Sequence, residues 1–126
     1  MELTKLDTDF SKNNKAPYSI IHKLSLYDPR LKKDVLSHAI DFSKERHKEQ
    51  KRDSGDPYFF HPLAVANILV DFKLDWICVT AALLHDTVED GVATRAEIRK
   101  LFGAEIARLV DGVTKLSKIE SEFSSF

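Results

Sequence analysis

The sequence contains a single cysteine, Cys78, among its 126 residues, which excludes an internal disulfide. An unpaired thiol is typical of a reducing compartment, and we therefore expect a cytoplasmic location. No apolar run reaches the roughly 18 residues that a membrane span needs. The first residues include Glu2 and no apolar core, which argues against a signal peptide. The net charge of -1 gives no reason to expect attraction to nucleic acid or to a membrane surface.

The sequence also lacks internal repeats and any segment that alternates convincingly at the period of a β-strand. A chain of 126 residues is long enough for one domain with a single core. Its hydrophobic content of 43% and charged content of 31% are ordinary for a globular protein. Because apolar residues recur at helical spacing in several segments, the sequence predicts an all-α bundle.

Five main helices are predicted, at about residues 31–50, 62–72, 76–90, 95–103 and 104–118. Asp75 is expected to cap the third helix, and Thr94 with Glu97 forms a capping-box pattern for the fourth. A short helix at residues 20–24 is also predicted. We divide the chain into a partly flexible N-terminal extension (1–30), a helical domain (31–119) and a tail (120–126) without helical pattern.

The segment Thr80–Asp90 places four polar side chains at the end of an apolar helical run. Residues four apart share a helix face, so His85 lies next to Glu89 and Asp86 next to Asp90. Buried carboxylates are costly unless they are paired or bind a metal. The segment therefore predicts a cation site, and the alternative is a solvated last helical turn.

A second histidine is expected to join this site from the preceding helix. His61 ends an aromatic loop and stands directly before Pro62, and proline is favoured at the first position of a helix. A short turn at residues 73–75 makes the two helices an antiparallel hairpin. Because the start of one helix then lies near the end of the other, we expect His61, His85 and Asp86 to converge.

Three segments, in matching order and spacing, resemble the hydrolase domain of the RelA/SpoT family. They are Arg52–Pro62 (Arg-x-Ser-Gly-x-Pro-Tyr-x-x-His-Pro), Ala81–Asp90 (Ala-Ala-Leu-Leu-His-Asp-x-Val-Glu-Asp) and Leu109–Leu116 (Leu-Val-Asp-Gly-Val-Thr-Lys-Leu). The segment His47–Gln50 also resembles the family's helix end before the loop, and the resemblance covers roughly residues 36–119. It implies that the helical domain at residues 31–119 is a partial HD hydrolase domain, an HD-domain helical bundle. Such a domain removes the 3′-pyrophosphate from (p)ppGpp (guanosine tetra- or pentaphosphate), giving GDP or GTP.

The resemblance also implies roles for the residues of the predicted cation site. His61, His85 and Asp86 would bind a metal, with Mn²⁺ the expected ion, and this mixed donor set suits a first-row metal. Such an ion lowers the pKa of water and neutralises phosphoryl charge. Glu89 and Asp90 would be acid/base or water-orienting groups, because a carboxylate one helical turn away can accept a proton from the attacking water.

Candidate substrate-binding residues are Arg52, Ser54 and Lys115. The planar guanidinium of Arg52 suits phosphate, and Ser54 lines the pocket in the family. Lys115 is either a pocket cation or a solvated lysine near a helix end. For Tyr58 the alternatives are stacking on a nucleobase and a place in the core. For His47 they are a hydrogen bond to a carbonyl at the helix end and a role in the pocket.

The sequence departs from the family pattern at three places. Asp53 stands where a lysine is usual, which should weaken polyphosphate binding by repulsion. Gly91 replaces a threonine and is expected to loosen the helix end. The family's fourth metal ligand is an aspartate in a Leu-Ala-Asp-Arg-Leu-His-Asn motif, which does not occur in this sequence, and Asp111 is a conceivable substitute. We therefore expect a helical bundle that is incomplete at its C-terminus. A partner chain or an oligomer is a candidate to cover the missing helices. Synthesis of (p)ppGpp is not expected.

Three functional hypotheses follow. The first is a metal-dependent (p)ppGpp hydrolase, weakly active or completed by another chain. The second is a catalytically inactive remnant that acts as an interaction module. The third is a phosphohydrolase of the broader His-Asp superfamily with another nucleotide substrate; Asp53 leaves this open, whereas the Arg52–Tyr58 loop and Glu89–Asp90 argue against it.

Overall fold

The structure is a computed structural model that describes residues 16–124. Within this range a short 3-10 turn at Ala16–Tyr18 precedes six α-helices, and the described residues contain no β-strand, only an isolated bridge between Lys51 and Pro57. The helices are α1 (Ser19–Ser25), α2 (Lys33–Arg46), α3 (Phe60–Asp71), α4 (Trp76–Glu89), α5 (Arg95–Phe102) and α6 (Ala104–Ser124). The predicted all-α class is confirmed.

Helix α4 is the centre of the bundle and packs against α2, α3 and α6. Its sequence is apolar on nearly every side, and Val79, Leu83 and Leu84 are fully buried. A helix that is hydrophobic all round belongs in the interior of a protein. The polar Thr80 is tolerated there because its hydroxyl donates a hydrogen bond to the Trp76 carbonyl, 2.7 Å away.

Helices α3 and α4 form the predicted hairpin. The chain reverses at Lys73, whose φ is 62°, and the Leu74 amide donates to the Leu69 carbonyl at 3.0 Å. Asp75 caps α4 as predicted, because its carboxylate accepts a hydrogen bond from the Cys78 amide at 2.8 Å. The start of α3 consequently lies beside the end of α4.

Helices α5 and α6 follow as a second pair. The predicted capping box is present, with the Thr94 hydroxyl and the Glu97 carboxylate each accepting a hydrogen bond from the other residue's amide. Helix α5 buries Ile98 and Phe102 and ends at Gly103, whose φ is 96°. Helix α6 then packs along α4 and α5.

Several predicted boundaries are wrong. Helix α2 ends at Arg46 instead of about residue 50, because the Gln50 amide closes a turn onto the His47 carbonyl at 2.9 Å. Helix α3 starts at Phe60, so Pro62 is its third residue. Helix α6 runs through residues 120–124, which were expected to lack helical structure.

The N-terminal part of the described chain shares the common core. Helix α1 contributes Ile20 and Leu24, which are fully buried in the same cluster as the residues of α4. The division of the chain after residue 30 stays a prediction, and residues 1–15 of the predicted extension lie outside the described residues. No helix in the described part of the chain combines the length and the apolar character needed to cross a bilayer.

Candidate metal centre

Three side chains at the end of α4 form a cluster of candidate ligand atoms. One such atom from each of His85, Asp86 and Glu89 lies within 4.8 Å of the others. His85 Nε2 is 3.0 Å from Asp86 Oδ1 and 4.0 Å from Glu89 Oε2. The second of these contacts joins residues four apart on one helix face.

His61 reaches the same cluster from the start of α3. Its Nε2 lies 3.7 Å from Asp86 Oδ2. The side chain of His61 is 42% exposed, whereas that of Asp86 is 8% exposed, so His61 lies at the mouth of the cluster and Asp86 at its floor. The hairpin thus brings His61, His85 and Asp86 together, although their roles as metal ligands stay predictions.

The residues of this cluster fit a divalent metal ion. Asp86 Oδ2 is buried and accepts no hydrogen bond from the described residues, a costly arrangement for a carboxylate oxygen unless a cation lies against it. His85 Nδ1 contacts the Ala82 carbonyl at 3.2 Å. When the ring is neutral, donation there leaves the Nε2 lone pair on the Asp86 side for a metal, as in many metal-binding histidines, whereas the protonated ring also donates from Nε2 to Asp86. Two imidazoles with carboxylates are donors that first-row metals prefer.

The charges of this cluster stabilise one another. Burial is the largest influence on the pKa of Asp86 and raises it, but the hydrogen bond and the electrostatic attraction of His85, with smaller electrostatic contributions from the imidazoles of His61 and His47, bring that pKa below its ordinary value. The hydrogen bond to Asp86 raises the pKa of His85 against the opposing effect of burial. Asp86 is therefore an anion at neutral pH despite its burial.

Asp90 ends α4 beside this cluster, on the exposed side. Its Oδ2 accepts a hydrogen bond from Gln50 Nε2 at 3.2 Å. Gln50 was not predicted as a site residue. The signal that could have found it is its position three residues after His47, just before the loop that carries Arg52.

Tyr58 lies between two histidines at the wall of the cluster. Its ring centroid is 4.9 Å from that of His47 and 5.8 Å from that of His61. Burial, the negative charges of Asp86 and Asp90 and a hydrogen bond from the Tyr58 hydroxyl to Asp90 raise the pKa of Tyr58 to about 12, so the phenol keeps its proton. Tyr58 is half-buried, and its ring packs against side chains of the protein.

The end of α4 is well defined, and the expectation that Gly91 loosens it is wrong. Gly91 has φ 77°, a left-handed conformation that glycine adopts at no steric cost. Its amide donates to the Val88 carbonyl at 3.1 Å, and the Val92 amide donates to the Thr87 carbonyl at 2.9 Å. This pair of hydrogen bonds is the Schellman motif, which ends many helices at a glycine.

The predicted substrate residues Arg52 and Ser54 lie in an exposed, tightly closed loop. The Arg52 amide donates to the Asp56 carbonyl at 2.9 Å, and the Gly55 amide donates to the Arg52 carbonyl at 2.8 Å. The Ser54 hydroxyl donates to Asp56 Oδ2 at 3.1 Å. The guanidinium of Arg52 has no partner among the described residues and is available to a ligand.

Lys115 and Asp111 contact each other instead of the cluster. Lys115 Nζ is 3.0 Å from Asp111 Oδ2, and Arg95 Nε is 3.0 Å from Asp111 Oδ1. The hydrogen bond from Lys115 lowers the pKa of Asp111, with help from the charge of Arg95. Asp111 does not join the group of candidate metal ligands found among the described residues.

Comparison with known proteins identifies the domain type. A family model described as an HD domain matches residues 39–125. The chain is 48% identical over 103 residues to a GTP pyrophosphokinase of Brucella melitensis and 45% identical over 116 residues to one of Myxococcus xanthus. It is also 48% identical over 87 residues to a guanosine-3′,5′-bis(diphosphate) 3′-pyrophosphohydrolase of Aquifex aeolicus.

These matches cover most of this chain but a small part of each relative. They include 82%, 92% and 69% of this chain, and 14%, 15% and 12% of the Brucella, Myxococcus and Aquifex proteins respectively. The chain therefore spans about one-seventh of the length of the curated relatives it matches.

Proposed function

Because the chain belongs to the HD domain family, we propose that it is a metal-dependent hydrolase that removes the 3′-pyrophosphate from (p)ppGpp. The observation that carries the proposal is the meeting of His61 with His85 and Asp86 around a buried carboxylate oxygen that accepts no hydrogen bond from the described residues. The name of the Aquifex aeolicus relative supports the substrate class.

The proposed metal-binding residues are His61, His85 and Asp86, and the family resemblance favours Mn²⁺. A bound divalent ion would lower the pKa of the attacking water and neutralise charge on the phosphoryl oxygens. Glu89 Oε2 lies 4.0 Å from His85 Nε2, close enough to complete the ligand set or to orient the water.

The remaining roles fall to the carboxylates and the loop. In the reaction the water oxygen bonds to phosphorus, the bond between phosphorus and the ribose 3′-oxygen breaks, and that oxygen gains a proton. Glu89 and Asp90 are proposed to take and return the protons. Arg52 and Ser54 are proposed to bind phosphate from the exposed loop, with Lys115 as a further cation for the substrate. We propose a cytoplasmic location, where such a nucleotide would occur.

The second candidate is a catalytically inactive interaction module. Helix α6 exposes two large apolar side chains, Leu116 at 66% and Ile119 at 47%. Exposed apolar surface of this kind is a feature of protein contact sites. A partner chain or a second copy would cover this surface. In that case the metal cluster would be a remnant of a catalytic site without activity of its own.

The testing experiment is pyrophosphate release from ppGpp by the purified chain, with and without Mn²⁺. Mn²⁺-dependent release that is lost in His85→Ala and retained in His22→Ala, a change at an exposed histidine of α1, supports the hydrolase. A folded chain that binds Mn²⁺ and releases nothing favours the interaction module. Hydrolysis of another nucleoside polyphosphate, with ppGpp left intact, would keep the reaction class and overturn the substrate.

A further inference from the structure

His47 is a fully buried histidine that follows α2 and has one partnered and one unpartnered nitrogen. Its Nδ1 lies 2.7 Å from Gln50 Oε1, whereas Nε2 is buried and has no hydrogen-bond partner among the described residues. An apolar side chain would occupy this position without an unsatisfied nitrogen. The polar side chain at this position therefore points to a purpose beyond filling the core.

Gln50 connects His47 with Asp90. Its Nε2 is 3.2 Å from Asp90 Oδ2. An ionised carboxylate only accepts hydrogen bonds, so the amide nitrogen of Gln50 must face Asp90 and the amide oxygen must face the imidazole. That orientation in turn requires the proton of His47 to be on Nδ1. One arrangement of protons satisfies both contacts.

The backbone of Gln50 is held as firmly as its side chain. Its amide donates to the His47 carbonyl at 2.9 Å, and its carbonyl accepts from the Tyr58 amide at 3.1 Å. The ring of Tyr58 also packs on the ring of His47. Gln50 is thus fixed between the end of α2 and the loop, which leaves its amide little freedom to turn.

Asp90, in contrast, is an exposed side chain at the C-cap of α4. Such a side chain samples several rotamers unless partners restrain it. Gln50 and the Tyr58 hydroxyl both hydrogen-bond the Asp90 carboxylate, and of these two Gln50 is the one linked to His47. A proton-transferring group must lie within hydrogen-bond reach of its target. We propose that Gln50 is a positioning residue that holds the carboxylate of Asp90 towards the metal cluster, and that His47 acts through Gln50 by orienting its amide. This inference rests on the function proposed above.

The test compares variants that keep or remove each hydrogen bond at similar volume. Gln50→Met removes the amide, His47→Leu removes the Nδ1 donor, and His47→Asn restores a donor close to the Nδ1 position. We expect Gln50→Met and His47→Leu each to lower kcat about tenfold, a part of the roughly 100-fold or larger contribution of a general acid or base. KM for ppGpp and the affinity for Mn²⁺ should change by less than about twofold, and His47→Asn should recover most of kcat.

A double variant separates positioning from simple loss of packing. If His47 acts through Gln50, His47→Leu should not lower kcat further in the Gln50→Met background. If the fold-changes in kcat caused by His47→Leu and Gln50→Met multiply in the double variant, the proposal is overturned. It is also overturned if Gln50→Met leaves kcat unchanged. A fall in thermal stability that parallels the fall in kcat and is not reversed by His47→Asn would also overturn it.

One measurement does not depend on turnover. The side-chain NH₂ signals of Gln50 in ¹⁵N NMR, identified by their loss in Gln50→Met, should shift in both His47→Leu and Asp90→Asn. Signals that stay in place in either variant would contradict the connection whatever the activity. A chain that shows these shifts but releases no pyrophosphate would overturn the proposed function and leave the positioning of Asp90 supported.

Discussion

Arg46 and Glu97, which are 51 residues apart in the sequence, form a two-point contact between the end of α2 and the first turn of α5. Arg46 Nη1 lies 3.1 Å from Glu97 Oε1, and Nη2 lies 2.6 Å from Oε2. Nη1 also donates to the Val92 carbonyl at 2.8 Å. Because Val92 belongs to the Schellman turn after α4, a single guanidinium links α2, that turn and α5.

This contact predicts a dependence of stability on pH. The hydrogen bond from Arg46 lowers the pKa of Glu97 from its ordinary value of 4.5. A carboxyl whose pKa is lower in the folded state stabilises the fold above its unfolded pKa, and this stabilisation is lost as pH falls through the folded value. We expect Arg46→Met to lower the urea midpoint most at pH about 7 and by less as the pH falls below 4.5 and Glu97 gains a proton. Part of the loss should remain at low pH, because Arg46 also donates to the Val92 carbonyl.

The matched control is Lys48→Met. It removes an ion pair with Glu45, in which the two side chains are 57% and 64% exposed. Exposed pairs of this kind contribute little, because solvent screens them. Equal pH-dependent losses in Arg46→Met and Lys48→Met would contradict a specific role for the Arg46–Glu97 contact.

The glycine that ends α4 gives a second prediction, for stability alone. Gly91→Ala should destabilise the protein by about 1–2 kcal/mol, the cost of forcing an L-residue into the left-handed conformation. A Cβ at Gly91 would meet no atom within 4 Å, so the cost is conformational and not steric. Thermal or urea unfolding measures it.

Gly112 provides the control for this prediction. It lies inside α6 in an ordinary helical conformation, and a Cβ there would also meet nothing within 4 Å. Gly112→Ala should therefore stabilise the protein by about 0.5–1 kcal/mol. Two alanine substitutions with effects of the same sign would mean that the conformation assigned to Gly91 is wrong.

Contacts close in sequence were predictable, and distant ones were not. The contact between His85 and Glu89 follows from helical spacing. The position of His61 beside Asp86 follows from the short turn between α3 and α4. The Gln50–Asp90 hydrogen bond joins residues 40 apart and depends on the path of an irregular loop. No periodicity encodes such a path.

The prediction for Gly91 is wrong for a different physical reason. The sequence shows a glycine after Asp90, and glycine weakens a helix interior but completes a helix end when its φ is positive. Only the conformation decides between these effects. The domain type, in contrast, was predictable, because the motifs that resemble the RelA/SpoT family are local.

A third prediction separates ligands from proton-transferring groups. His85→Ala and Asp86→Ala should abolish Mn²⁺ binding, measured by calorimetry or by the rise in Tm that Mn²⁺ causes in the wild type. Glu89→Gln should keep the affinity for Mn²⁺ and lose turnover. A parallel loss of both in Glu89→Gln would make Glu89 a ligand, which its distance of 4.0 Å from His85 Nε2 allows.

The last prediction concerns Asp53, the acidic residue in the loop that carries Arg52 and Ser54. Asp53 is exposed between Arg52 and Ser54, and an anion there repels a polyphosphate. Asp53→Lys replaces this repulsion by attraction and should lower KM for ppGpp about fivefold at low salt, equivalent to about 1 kcal/mol for charges several ångströms apart in water. The gain should shrink as salt is added, because exposed charges are screened.

Asp71→Lys makes the same charge change at the far end of α3 and should leave KM within about twofold. If both variants lowered KM equally, overall charge would be the cause, and the loop would have no specific part in binding phosphate.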